Sequence, residues 1–166
     1  DILDESAVLE ITDHQDFAWW IPEGTQITPE IAQTLNQANE TVIESHQVGA
    51  DIDGTLFWAN SGGDKAHIRW VFPIENETGL LNAIARVAAR GEMNLGEGTK
   101  FAGVFRTHGL IAPVFDLQPD VAYDSYESEL ARVEKALKAE IDNDAQLNPD
   151  ERKQLENLKS RQVTLR

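Results

Sequence analysis

The chain has 166 residues, 41% hydrophobic and 26% charged, with a formal net charge of −15 and no cysteine. That length suits one domain with a sizeable core, and the missing cysteine excludes disulfide and thiolate chemistry and fits a reducing cytoplasm. No apolar run reaches the ~20 residues of a membrane helix, so no membrane association is expected.

The charge is unevenly spread. Residues 1–64 hold 13 Asp and Glu and no Lys or Arg, while all 14 cations lie from Lys65 onward. Direct nucleic-acid binding by this chain is therefore not expected, because phosphates need cations. The acidic first part reads either as a solvated surface that aids solubility or as a dock for a basic segment or a basic protein partner. The chain starts at Asp1 without an initiator Met, and is expected to be a piece or a processed product.

In chain order, Ser6-Ala-Val-Leu-Glu-Ile11 suits a short strand. Asp16-Phe-Ala-Trp-Trp-Ile-Pro-Glu-Gly24 is an aromatic stretch closed by Pro22 and Gly24. Thr28-Pro29-Glu30 opens a helix, with Thr at the N-cap and Pro in the first turn. Ile31, Leu35, Ala38 and Val42 then recur at helical spacing and mark a buried face. Residues 54–60 and 66–72 flank the turn Ser61-Gly-Gly-Asp-Lys65 and read as a β-hairpin. Asn76-Glu-Thr78 opens a second helix with Leu80, Leu81, Ile84, Val87 and Ala88 on its apolar face, and Gly91 stops it. Phe101–Thr107 and Leu110–Leu117 read as a second hairpin turning at His108-Gly109, with Pro113 expected at an edge or a bulge. From Tyr123 the stripe Tyr126, Leu130, Val133, Leu137, Ile141 makes a helix. Asn148-Pro149-Asp150-Glu151 starts another that bears Leu155 and Leu158, giving an αα-hairpin.

The sum is an α+β fold: a largely antiparallel β-sheet with packing helices and a C-terminal helical hairpin. Residues 1–122 form the core and 123–166 the helical hairpin, within a single structural domain.

Asp51-Ile-Asp53-Gly-Thr55 matches the opening motif of the aspartate-nucleophile phosphohydrolases. There the first Asp attacks phosphorus, the second acts as acid and base, and carboxylate-held Mg²⁺ offsets the charge. Asp51 and Asp53 are the residues such a metal-dependent reading would use. Their context points instead to a turn. The preceding Ser45-His-Gln-Val-Gly-Ala50 lacks the apolar run of a buried parallel strand, and Asp-Gly favours local turn geometry. Gly96-Glu-Gly-Thr-Lys100 lacks phosphate-loop spacing and reads as a turn entering a strand.

The hairpins carry the better polar constellation. In a strand over 65–71, Lys65, His67 and Arg69 share one face, and Ala66, Ile68 and Trp70 share the other with Phe72. Arg106 and His108 pair likewise on their own strand. If both hairpins join one sheet, these five groups gather on one surface suited to a carboxylate or phosphate. Trp19 and Trp20, read as neighbours in a strand, point to opposite faces, so one packs in the core and the other caps a pocket or an interface. The four histidines form no metal-ligand spacing. No metal and no cofactor are expected.

Four strings, Gln15–Gly24, Gly63-Asp-Lys-Ala-His-Ile-Arg-Trp70, Leu95–Gly109 and Arg161-Gln-Val-Thr-Leu-Arg166, resemble an uncharacterised actinobacterial family classed as a domain of unknown function. The resemblance runs from about Leu9 to Arg166. It implies that the chain is the C-terminal part of a longer protein whose upstream portion carries a Lys/Arg-rich tail. It brings no established activity and no assigned catalytic residues. The function expected from the sequence is a non-enzymatic cytoplasmic domain that binds a protein or a small anion through Lys65, His67, Arg69, Arg106 and His108, with Trp19 or Trp20 nearby. The alternatives are a Mg-dependent phosphohydrolase using Asp51 and Asp53, and a nucleic-acid-associated protein acting through the basic tail.

Overall fold

The computed structural model describes residues 12, 14, 16–72, 76–107, 110–160 and 163–164. The strand expected at residues 6–11 lies outside them, as does His108. The chain divides into two compact units, Asp1–Val42 and Ile43–Arg166.

In the first unit, the Asp16 side chain accepts a hydrogen bond from the Ala18 N–H at 2.8 Å and starts a 3₁₀ turn over Phe17–Trp20. The Phe17 N–H donates to Asn39 Oδ1 at 3.0 Å, which ties the turn to helix α1, Pro29–Glu40. α1 starts as its sequence dictates, with Thr28 at the N-cap accepting from the Ile31 N–H and Pro29 in the first turn. Its apolar stripe is not the buried face that the spacing suggests. Ile31, Leu35 and Ala38 are half-buried, Val42 is 46% exposed, and neither the turn nor α1 contains a buried residue. A helix buries its stripe only against another element, and the described part of this unit offers only a single short turn.

The second unit holds the core. Strands β1 (Glu44–Val48), β2 (Thr55–Asn60), β3 (Ala66–Val71), β4 (Lys100–Thr107) and β5 (Leu110–Leu117) form an antiparallel sheet, and β6 (Val163–Thr164) pairs parallel to β4. The spatial order is β1-β2-β3-β5-β4-β6. Between β3 and β4 runs α2 (Glu77–Ala89), and α3 (Glu127–Ile141) and α4 (Pro149–Ser160) follow β5. The fold is α+β with a C-terminal helical pair, as the sequence indicates.

Strand alternation decides what faces the helices. Leu56, Trp58, Ala66, Ile68, Trp70, Phe115 and Leu117 occupy one side of the sheet and are buried. They join Leu80, Ile84 and Val87 of α2, Leu130, Val133 and Leu137 of α3, and Leu158 of α4 in one cluster. α2 begins at Asn76, whose side chain accepts from the Gly79 N–H at 2.9 Å. It ends at Gly91, whose φ of 74° lets the Gly91 and Glu92 N–H groups return to the Ala88 and Val87 carbonyls. α4 begins with a reciprocal cap: Asn148 Oδ1 accepts from the Glu151 N–H, and the Glu151 carboxylate accepts from the Asn148 N–H.

Two expectations about the sheet need correction. Pro113 lies in an interior strand, paired with Val104 and fully buried, and the bulge is on β4 between Phe101 and Gly103. The strand tolerates it because the β3–β5 ladder stops at Arg69 and Val114, one residue short of the position that has no N–H to give. In addition, the polar approach 44–48 is itself an edge strand, β1. No described helix is long and apolar enough to cross a membrane.

Candidate binding site

Asp51-Ile-Asp-Gly-Thr55 forms the connection from β1 to β2. Gly49, with φ of 67°, accepts from the Ile52 N–H at 3.0 Å, and Gly54 has φ of 102°. These are glycine conformations, which explains the turn chemistry at both ends. Asp53 is pinned from three sides. Its carbonyl accepts from Trp70 Nε1 at 2.8 Å, its N–H donates to Glu134 of α3 at 2.9 Å, and its carboxylate is paired with Lys138. Lys138 also holds Glu134 at 2.9 Å. Asp51 is exposed. The motif thus locks the β1–β2 turn to α3, and among the described residues no three His, Asp or Glu side chains are grouped to hold a metal ion.

The side of the sheet turned away from the core is built in rows across the strands. One row runs Ser45, Ala59, His67, Asp116, Lys100; the next runs Gln47, Phe57, Arg69, Val114, Gly103; then come the pairs Thr55–Val71 and Phe105–Ala112. In the first row two donors converge on one carboxylate. Lys65 Nζ donates to Asp116 Oδ2 at 2.8 Å, and His67 Nδ1 lies 3.2 Å from Oδ1. Burial pushes the Asp116 pKa up, but the hydrogen bond and charge of Lys65, aided by His67, outweigh it, and the carboxyl sits below its usual value. The hydrogen bond and charge of Asp116 raise the Lys65 ammonium in turn. Asp64, Lys65, Gly98, Lys100, Asp116, Leu117 and Gln118 line a concavity of about 270 Å³ beside this cluster. Gly98 has φ of 77° there, a backbone conformation that favours glycine.

In the second row Arg69 reaches across β5, with Cζ 5.8 Å from the Phe105 ring centroid. Val114 and Ala112, on the same face, are buried. Phe57 and Leu110 remain 44% exposed on the same face.

Lys65, His67 and Arg69 therefore share one surface, as expected. Arg106 does not join them. It pairs in register with Ile111, on the helix-facing side, and its guanidinium lies 2.8 Å from Glu77 at the start of α2. The bulge between Phe101 and Gly103 adds one residue to β4 and sets which of its side chains face the helices. His108 lies outside the described residues. Trp19 and Trp20 are not in a strand and neither is buried. They sit in the 3₁₀ turn of the first unit, 54% and 70% exposed, with Trp19 stacked on His14 at 4.7 Å and edge-on to Trp20 at 5.7 Å. Sequence reasoning missed Lys100, Asp116 and Gln118. Lys100 opens β4 and Asp116 is next to last in β5; the bulge between Phe101 and Gly103 brings them side by side, where an unbroken ladder from Thr107–Leu110 would pair Lys100 with Leu117.

Two other polar features are structural. Arg132 of α3 donates to the Glu92 and Asn94 carbonyls at 2.9 and 2.6 Å and holds the loop that leads into Gly96-Glu-Gly-Thr-Lys100. Thr99 Oγ1 closes that loop through the Leu95 N–H and the Gly96 carbonyl. At the β1 edge, His46 stacks on Tyr123 at 4.1 Å with Trp58 tilted against both, and Trp58 Nε1 is buried without a hydrogen-bond partner among the described residues.

The model of a family of unknown function, DUF5926, matches residues 1–166. The chain belongs to this family. No curated protein matches, and no solved structure matches. The family carries no activity to transfer, so the reading of this DUF5926 member rests on its geometry.

Proposed function

We propose that this DUF5926 chain is a binding domain rather than a catalyst, and that its site is the cluster of Lys65, His67, Lys100 and Asp116 beside the 270 Å³ concavity. The supporting observation is the convergence of Lys65 and His67 on Asp116, with Lys100 as the cross-strand neighbour of that carboxylate. An ammonium has three donors, and Lys65 spends one on Asp116 while its side chain stays 58% exposed. A small anion entering the concavity meets Lys65 and Lys100 from two sides, and Asp116 keeps Lys65 and His67 in place as it does so. Lysines of this kind act as point charges, which suits a carboxylate or a phosphate without demanding one geometry.

The test is a thermal-shift series with citrate, inorganic phosphate and acetate at constant ionic strength. Binding to the native state raises the melting temperature by mass action. At least one anion is expected to stabilise the wild type, and the double variant Lys65→Ala, Lys100→Ala is expected to lose that response while melting normally without it. A wild-type chain that responds to none of the three overturns the reading.

A further inference from the structure

We infer that the outward face of the sheet is a docking surface for an extended acidic protein segment, and that the anion taken at Lys65 and Lys100 is a side-chain carboxylate of that segment. This rests on the site proposed above and extends it over the neighbouring rows.

Size is the first reason. From the row of His67 to that of Val71 the face runs about 14 Å along the strands. That is more than a small anion covers and about what five extended residues span. Spacing is the second. Successive rows lie two residues apart along a strand, about 7 Å, which is also the repeat of same-side side chains in an extended peptide. The rows change in character at each step. The first offers Lys65, His67 and Lys100; the second offers Phe57 and Arg69; the third offers Val71 and Phe105. A segment running along the strands with an acid at one position and apolar residues two and four positions on would meet all three in register.

Charge is the third reason. Around this face Lys65, Arg69 and Lys100 stand against Asp116 and Asp64, so its cations outnumber its acids in a chain of formal net charge −15. Arg69 makes no ion pair with any described residue; its guanidinium rests on Phe105, a position from which its fork can take a carboxylate. At physiological salt the Debye length is about 8 Å. Distant acids are then screened, and the contacts within the face decide. Stacking surfaces and cations also suit single-stranded nucleic acid, but that ligand carries a phosphate at every step and gains little from one positive patch on so acidic a chain.

The experiment uses the whole chain and four probes: citrate, a short dye-labelled extended peptide with one Glu and with Leu two and four positions after it, the same peptide with Lys for Glu, and a labelled oligothymidylate. The Glu/Leu peptide is expected to bind, to be displaced by citrate, and to outbind the other two labelled probes. Phe57→Ser and Arg69→Ala, both surface changes checked by their melting temperatures, are expected to weaken the peptide about tenfold or more, a loss of about 1.4 kcal/mol, and to leave citrate unchanged. Citrate binding without peptide binding, or peptide binding that ignores both variants, overturns this inference and leaves the anion site standing. Peptide binding unaffected by Lys65→Ala, Lys100→Ala overturns this inference too, because no carboxylate of the peptide is then held there; citrate binding unaffected by that double variant overturns the anion site. Preference for the oligothymidylate overturns the protein partner.

Discussion

Arg69 and Arg106 belong to one sheet, yet they live in different chemistries. Arg106 points to the helix-facing side and is paired with Glu77 at 2.8 Å. Arg69 points the other way, pairs with no described carboxylate and lies over Phe105. The contrast extends beyond these two residues. Toward the helices, polar groups are consumed by structure: Trp70 Nε1 by the Asp53 carbonyl, Arg86 by the Ala145 and Glu140 carbonyls, Arg90 by Glu140 and Glu92. Away from them, Lys100 and Arg69 are exposed and Phe57 is 44% exposed. Side-chain parity along the strand, rather than residue type, separates a structural cation from an available one.

Four substitutions would break or sharpen that contrast. Arg86 is 3% exposed and donates to Ala145 O at 2.5 Å and Glu140 O at 3.4 Å, with the Glu140 carboxylate 3.8 Å away. Arg86→Met strands those acceptors and is expected to cost about 3–5 kcal/mol, read as a fall in the urea midpoint. Trp70→Phe keeps an aromatic ring but loses the bond to the Asp53 carbonyl; a loss of about 2 kcal/mol is expected, and a variant as stable as the wild type would show that the β1–β2 turn is held by α3 alone.

The third test is in pH. The Asn143 hydrogen bond, then Arg90 and Arg86, hold the Glu140 carboxyl below its ordinary 4.5 despite burial. A depressed carboxyl stabilises the fold above its unfolded value, and that stability is lost as pH falls from about 4.5 through the lower folded value. Arg90→Ala is expected to lower the urea midpoint at pH 6 and to flatten its fall between pH 5 and 3, because Glu140 then moves back toward its ordinary value. The smallest effect belongs to the outward face. Arg69→Ala is expected to change stability by no more than about 0.5 kcal/mol; a larger loss would mean that its contact with Phe105 is structural.

Much of the fold was legible because its signals are local. Thr28-Pro29, Asn76 and Gly91 name their own caps, and Ala66, Ile68 and Trp70 declare a strand with one apolar side. β1 was not legible. It is an edge strand in which only Val48 is buried, so Glu-Ser-His-Gln carries no periodic signal. Trp19 and Trp20 misled because hydrophobic residues need not be inside; Asp16 and Asn39 shape a 3₁₀ turn that leaves both indoles exposed. Half of the site could be read directly, since Lys65, His67 and Arg69 follow from alternation. Asp116 and Lys100 could not, because the register that joins β3 to β5 and β5 to β4 is a tertiary choice.

Pro113 has a consequence for motion. The five antiparallel strands divide into a meander, β1-β2-β3, and a hairpin, β4-β5. The seam between them is closed by only four register pairs, from Ala66–Leu117 to Arg69–Val114, where those within the two parts number five, six and seven. A shorter ladder is a place where local opening can begin. In native-state hydrogen exchange the amides of β2 and those of β4 should therefore report two opening energies, with the boundary running through the row that holds Arg69.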